Sequence, residues 1–214
     1  MAWPHESTPE LYGLMEKPKV LLFDLGGVIV RWVGLDELAR IKGLSREDVA
    51  TRFAASAIFQ AYETGQCSDD IFIDALITDF NLDISRADGK ALWNSWVQET
   101  YTGTKNMLTK LRQSYTLACL SNTNALHWAH LAVHIKLDDF FDYSYASHLI
   151  NAAKPNARSY EIPIEDMSVT PSDICFFDDT LINIEAAKSV GMQAYHVDRN
   201  VGVIPTLQGL GLLS

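Results

Sequence analysis

The sequence is short of several things, and each shortage excludes a class of protein. Only 3 cysteines occur in 214 residues, at Cys67, Cys119 and Cys175, with no CxxC pair and no Cys/His finger spacing. So few thiols cannot build a disulfide scaffold. Their odd number, with two inside apolar runs, points to reduced thiols and a cytoplasmic protein. The 12 glycines and 7 prolines are too few for a collagen-like or low-complexity chain. No run approaches the ~20 apolar residues that span a bilayer. The opening residues, Met1-Ala2-Trp3-Pro4-His5-Glu6, have neither the basic nor the apolar region of a signal peptide, so neither leader nor membrane anchor is expected. Positive charge is scarce as well: 17 Lys+Arg face 27 Asp+Glu, a formal net charge of −10. No basic stripe exists to replace phosphate counterions, which argues against nucleic-acid binding. A phosphate-bearing substrate would need a local positive field from a metal ion, one lysine or helix N-termini.

What is present reads as an ordinary globular chain, 48% hydrophobic and 21% charged, long enough for one domain or one domain with a smaller insert. Residues 1–17 read as a polar extension. Val20-Leu21-Leu22-Phe23 is a continuous apolar run closed by Asp24-Leu25-Gly26-Gly27, the pattern of a strand buried on both faces. Residues 116–120, 142–147, 174–177 and 193–197 repeat that style. Helical patterns separate them: residues 104–113 put Met107, Leu108 and Leu111 on one face, and residues 181–190 put Ile182, Ala186 and Val190 on another, with Gly191 closing the helix. Strand and helix in alternation predict an α/β fold, a doubly wound, Rossmann-like parallel sheet.

Residues 35–98 break that alternation and show no strand. Ser45, Ser68 and Ser85 each precede an acidic first turn and suit helix N-caps. Ile71, Phe72, Ala75 and Leu76, then Ala91, Leu92 and Val97, follow the 3.6-residue period. The expected organisation is therefore an α/β core over 18–32 and 100–214, with an all-helical insert over 33–99.

Ligands of an open parallel sheet bind outside the carboxyl ends of its strands. The first predicted strand ends in Asp24, the second in Ser121-Asn122 and the fourth in Asp178-Asp179, and Lys154-Pro155 follows the third. Each residue alone could be a turn, a cap or plain surface. Jointly they bring carboxylates, a hydroxyl and a lysine to one edge. Acids so crowded repel one another, and a hard divalent cation resolves that cost while bridging carboxylate to phosphate.

In that order, Phe23-Asp24-Leu25-Gly26-Gly27-Val28, Leu120-Ser121-Asn122-Thr123, Lys154-Pro155 and Phe177-Asp178-Asp179 resemble the four motifs of the haloacid dehalogenase-like (HAD) hydrolase superfamily. The helical insert is similar to that superfamily's cap after the first motif, and Tyr62-Glu63-Thr64-Gly65 followed by Ser68 resembles its phosphatase-like branch. The resemblance implies a Mg2+-dependent phosphatase of a small phosphorylated metabolite. It implies Asp24 as nucleophile forming an aspartyl-phosphate. It implies Ser121, Asn122 and Lys154 as phosphate-binding groups, and Asp24, Asp179 and the Gly26 carbonyl as metal ligands. Asp178 and Asn183 are implied behind these, with Asn183 steadying Asp179 or a metal-bound water. Neither the substrate's identity nor the oligomeric state is written in the motifs.

One departure stands out. The family's first motif carries a second Asp two residues after the nucleophile, as general acid/base, and here that position is Gly26. Two alternatives stay open: a haloacid dehalogenase-type hydrolase using Asp24 on carbon, against which Asp178-Asp179 counts, and a catalytically weak phosphoprotein- or phospholigand-binding regulatory module. His127, His130 and His134 share a helical face without an acidic or cysteine partner, so a histidine metal site is not expected. Trp93 and Trp96, among apolar residues, are expected to pack in a core.

Overall fold

Residues 17–136 and 139–213 are described by the structure, a computed structural model. In chain order the strands are β1 (Val20–Phe23), β2 (Val30–Trp32), β3 (Val97–Thr100), β4 (Thr116–Ser121), β5 (Tyr143–Ala146), β6 (Ile174–Asp178) and β7 (Gln193–His196). The helices are α1 (Gly34–Lys42), α2 (Arg46–Ala55), α3 (Ala57–Glu63), α4 (Asp69–Asp79), α5 (Arg86–Ser95), α6 (Thr104–Leu111), α7 (Ala125–His134), α8 (Ser147–Ile150), α9 (Ala157–Met167), α10 (Leu181–Ser189) and α11 (Ile204–Gly209). The extension expected over 1–17 lies outside the described residues, save Lys17.

The five strands anticipated from apolar runs form one parallel sheet in the order β5-β4-β1-β6-β7. In β1, β4 and β6 the side chains alternate between two buried faces, which is why those runs are apolar, whereas the edge strands β5 and β7 leave Tyr143 and His196 exposed. Leu21, Phe23, Leu117, Cys119, Cys175 and Phe177 pack with Met107, Leu108 and Leu111 of α6 on one face. Val20, Leu22, Ala118, Leu120, Ile174 and Phe176 pack with Tyr160 of α9 and Ile184 and Ala187 of α10 on the other.

Helices α1–α5 share a third apolar cluster that includes Leu38, Val49, Phe59, Phe72, Leu76, Trp93 and Trp96. Ser45, Ser68 and Ser85 cap α2, α4 and α5, each accepting a hydrogen bond from the backbone N–H three residues on. Both tryptophans are buried in this cluster, as expected.

Some expectations fail in detail. Strand β3 falls partly inside the stretch read as strandless, and pairs antiparallel with β2 in a two-stranded ribbon. Its Gln98 and Glu99 are exposed, so it carries no apolar run to announce it. Val97 therefore belongs to a strand, not to the helical face proposed for it. In α4 the buried residues are Phe72, Ile73 and Leu76, with Ile71 exposed, and Ala91 of α5 is exposed too. Helix α10 buries Asn183, Ile184 and Ala187, leaving Ile182 exposed. No described helix is long and apolar enough to cross a membrane.

Candidate active site

The chain runs β1 to β4 to β5 towards one sheet edge and β6 to β7 towards the other. The crevice between β1 and β6 is thus the topological switch point, where open α/β sheets bind ligands. Asp24, the residue after β1, donates its backbone N–H to the Phe177 carbonyl at 2.8 Å and so sits beside Asp178, the last residue of β6. Asp24, Asp178 and Asp179 each offer a carboxylate oxygen within 4.8 Å of the others.

Lys154 closes this cluster. Its Nζ is 2.6 Å from Asp178 Oδ2 and 3.0 Å from Asp24 Oδ1, and its side chain is 1% exposed. The lysine is held in place by Asn122, whose Oδ1 accepts the Lys154 N–H at 2.8 Å and whose Nδ2 donates to the Lys154 carbonyl at 2.9 Å. The Asn122 side-chain amide is thus occupied at both ends by the Lys154 backbone. Asp178, fully buried, also accepts from the Thr180 N–H at 2.8 Å and from Asn183 Nδ2 at 3.1 Å through each oxygen. The resemblance implies Asn183 steadying Asp179 or a metal-bound water; the turn into α10 aims its amide at Asp178.

Asp179 takes a different set of neighbours. Thr180 Oγ1 donates to it at 3.3 Å, and Arg199 Nε stands 3.9 Å from its Oδ2. Gly27, with φ +78°, faces it so closely that a Cβ there would collide with the carboxylate. The glycine after Gly26 is therefore a steric requirement of Asp179.

The electrostatics follow from one lysine serving three acids. Burial pushes the Asp24 carboxyl up to about 7, Lys154 pulls it down, and Asp178 and Asp179 push it up again. Asp179 is also raised, first by burial and then by Asp178. Burial alone would lower the Lys154 ammonium, but Asp24 and Asp178 more than reverse that and keep it charged. The donor set is hard oxygen, its repulsion is only partly neutralised, and a divalent cation is the group that fits it.

Over the cluster lies a cavity of about 410 Å³ whose wall includes Asp24, Gly26, Ser121, Lys154, Asp179 and Asn183. Of the candidate site residues named from sequence, Asp24, Gly26, Ser121, Asn122, Lys154, Asp179 and Asn183 line it, and Asp178 is buried behind Lys154. Sequence reasoning missed Arg199, Trp32, Arg46 and Glu63, which also line it. Arg199 links the loop after β7 to β2, donating to the Trp32 carbonyl at 3.0 Å. None belongs to a motif the reading used for the site, although Glu63 stood in the quoted Tyr62-Glu63-Thr64-Gly65.

The three histidines of α7 have different surroundings. His127 is buried, its Nε2 2.8 Å from the Trp93 carbonyl, and burial pulls it down to about 4. His130 and His134 lean on each other with ring centroids 4.2 Å apart. Among the described residues, the three aspartates are the group able to hold an ion.

Known proteins agree with this geometry. The chain is 29% identical over 186 residues to a D-ribitol-5-phosphate phosphatase of Bacteroides thetaiotaomicron, covering 83% of this chain and 90% of that one. A crystal structure of a HAD family enzyme from the same organism, in complex with magnesium and inorganic phosphate, superimposes with a TM-score of 0.71 at 28% identity, over 84% of this chain and 93% of that one. An L-2-haloacid dehalogenase superimposes at TM-score 0.63 over 85% of each chain, with 20% identity, and so shares the fold. The sequence pattern of the haloacid dehalogenase-like hydrolases matches residues 18–191. The chain is a member of the haloacid dehalogenase-like hydrolase family.

Proposed function

We propose that the protein is a Mg2+-dependent phosphatase of small phosphorylated metabolites, working through an aspartyl-phosphate on Asp24. The observation that carries this reading is the Asp24–Lys154–Asp178–Asp179 cluster at the switch point, with Lys154 3.0 Å from Asp24. Relatives named as phosphatases of D-ribitol 5-phosphate and of glyceraldehyde 3-phosphate support the same chemistry. A solved relative holding magnesium and inorganic phosphate supports the cofactor.

Asp24 and Asp179 side chains and the Gly26 carbonyl would hold the metal. When bound, Mg2+ would neutralise the dianionic phosphoryl group, so that a carboxylate can approach it. Asp24 attacks phosphorus in line with the leaving oxygen. Lys154 supplies a compact positive charge to the phosphoryl oxygens and to Asp24. Ser121 offers its hydroxyl to a phosphoryl oxygen from the end of β4. Asp178 and Asn183 orient Lys154 through the 2.6 Å and 3.1 Å contacts. We assign residues 33–99 to a cap that closes over the core of 18–32 and 100–214, excludes water and sets specificity. The free thiols Cys67, Cys119 and Cys175 support a cytoplasmic setting.

A dehalogenase reading is disfavoured by the paired acids of Asp178-Asp179, and an idle binding module by the whole set being assembled. The test is phosphate release from a panel of phosphorylated metabolites with Mg2+ and with EDTA. Metal-dependent release is expected; no release from any ester would overturn the reading.

A further inference from the structure

Gly26 leaves the first motif without its general acid, and the backbone does not demand the loss. Its φ lies outside the left-handed region, and a Cβ there would meet only Trp32, at 3.5 Å. A proton must still reach the leaving oxygen, because charge builds there in a loose phosphoryl-transfer transition state.

The cavity wall offers few candidates. Besides Asp24 and Asp179, Glu63 is the acidic side chain lining it, and it is contributed by the cap at the end of α3. Beside it lies a second cavity of about 290 Å³, walled by helices α2–α5 on one side and by Asn122, Asn124 and His127 on the other, and Glu63 is the acidic residue of that wall too. His127 lines both, but its ring nitrogens already face the Trp93 carbonyl and the Asn124 amide. The Glu63 carboxylate makes no hydrogen bond or ion pair with any described residue, although the cap around it is firmly placed. Ser147 Oγ accepts the Thr123 N–H at 2.9 Å and donates to the Glu63 carbonyl at 2.6 Å, tying it to the loop that follows Ser121. Two residues on, Gly65 has φ +72° and lies so close to the His148 carbonyl that no side chain fits. The wall shared by the two cavities thus carries one unpartnered carboxyl on a pinned backbone.

We propose that Glu63 is the catalytic acid of this site, protonating the leaving oxygen in place of the carboxylate missing at Gly26. The inference rests on the phosphatase reading above. In the first half-reaction the bond from phosphorus to the ester oxygen breaks as Asp24 bonds to phosphorus. The Glu63 proton passes to that oxygen, releasing a neutral alcohol and leaving Glu63 ionised. In the second, a water attacks the aspartyl-phosphate, Glu63 takes its proton back, and Asp24 and inorganic phosphate are released. Burial raises the Glu63 carboxyl above its ordinary range, with Lys154 pulling the other way, which favours the protonated form at the start.

The test compares two esters of similar size with Mg2+ present. Para-nitrophenyl phosphate releases a stable phenolate that needs no proton; benzyl phosphate releases an alkoxide that does. Glu63→Gln is expected to lower kcat/KM for benzyl phosphate by about 10²–10⁴-fold while leaving the nitrophenyl ester within about threefold. Glu63→Asp, which keeps an acid, should recover part of the benzyl rate. An equal loss on both esters, or a loss on neither, would overturn the role of Glu63. Failure of the wild type on both would overturn the phosphatase reading, and this inference with it.

Discussion

The Asn122 side chain grips the Lys154 backbone from both sides, accepting its N–H at 2.8 Å and donating to its carbonyl at 2.9 Å. A residue at the end of one strand thereby sets the height of a lysine 32 positions later. Asn122→Ala removes both bonds and lets Nζ drift from Asp24. Displacement on the scale of 1 Å costs about 10²-fold in rate, so kcat/KM should fall by ~10- to 100-fold. The two unpaired backbone groups should cost about 1–3 kcal/mol of stability. Steady-state kinetics and urea unfolding measure the two separately. Unchanged kinetics beside a stability loss would mean that Asn122 serves the fold alone.

Metal dependence should separate the acids from the lysine. Asp179→Ala is expected to raise the Mg2+ concentration for half activity far more than KM, and Lys154→Ala to do the reverse. Asp24→Asn should abolish turnover. Gly27→Ala extends the argument, because its Cβ would collide with the Asp179 carboxylate. It should behave as a milder Asp179→Ala, with a Mg2+ requirement raised about tenfold and KM little changed. Metal titration at saturating substrate decides the matter: a Gly27→Ala enzyme with wild-type Mg2+ dependence would show that the carboxylate can retreat without losing the ion.

Much of this site was legible because strands buried on both faces write unbroken apolar runs, and the residues ending them are conspicuous. Asp24, Ser121 and Asp178 were found that way, and the serine caps of α2, α4 and α5 by their acidic first turns. What escaped depends on tertiary contact. Strand β3 is polar and pairs with β2, distant in sequence, so no local period betrays it. Arg199 and Glu63 reach the cavity only because separate segments dock around it. Asn183 lines the cavity, but its amide bonds Asp178, a partner set by the rotation of α10, which also leaves Ile182 exposed.

Asp24 should make the metal-free protein lose stability as pH rises. Burial, then Asp178 and Asp179, push its folded-state carboxyl up to about 7 against Lys154, from an ordinary value of 3.8. Within that window the folded state holds the proton more tightly than the unfolded chain. The group's contribution is therefore complete below about 3.8 and is lost as pH climbs through about 7. Relative to Asp24→Asn, the EDTA-treated wild type should lose on the order of a few kcal/mol across that span. Adding Mg2+ should reverse the loss, since the ion binds the carboxylate form. Urea unfolding at both ends of the window measures it; parallel pH slopes for wild type and Asp24→Asn would show that Asp24 ionises as an ordinary carboxyl.

The chamber beside Glu63 should select the leaving group. Its 290 Å³ are walled by Phe53, Phe59, Tyr62, Phe72 and Trp93, with Phe53 and Phe59 ring centroids 4.1 Å apart and Phe72 and Trp93 4.6 Å apart. The polar side chains among them are mostly spent on the protein: Tyr62 donates to Asp69 at 2.7 Å, Gln60 to the Ala54 carbonyl at 2.7 Å, and Trp93 Nε1 to Asn124 at 3.2 Å. A polyol entering it would leave water's hydrogen bonds behind and find few replacements, a net cost. An apolar group would gain about 0.8 kcal/mol per buried methylene, roughly fourfold in kcat/KM if the gain persists in the transition state. Among phosphate monoesters matched in leaving-group acidity, kcat/KM should therefore climb with apolar carbon count until the chamber is full, and polyol phosphates should trail. Ala50→Trp, which fills the chamber from α2, should erase that climb while leaving the smallest ester nearly unaffected. Polyol phosphates outrunning apolar esters of equal size in the wild type would show that the leaving group lies elsewhere, towards Arg46 and the rim of the larger cavity.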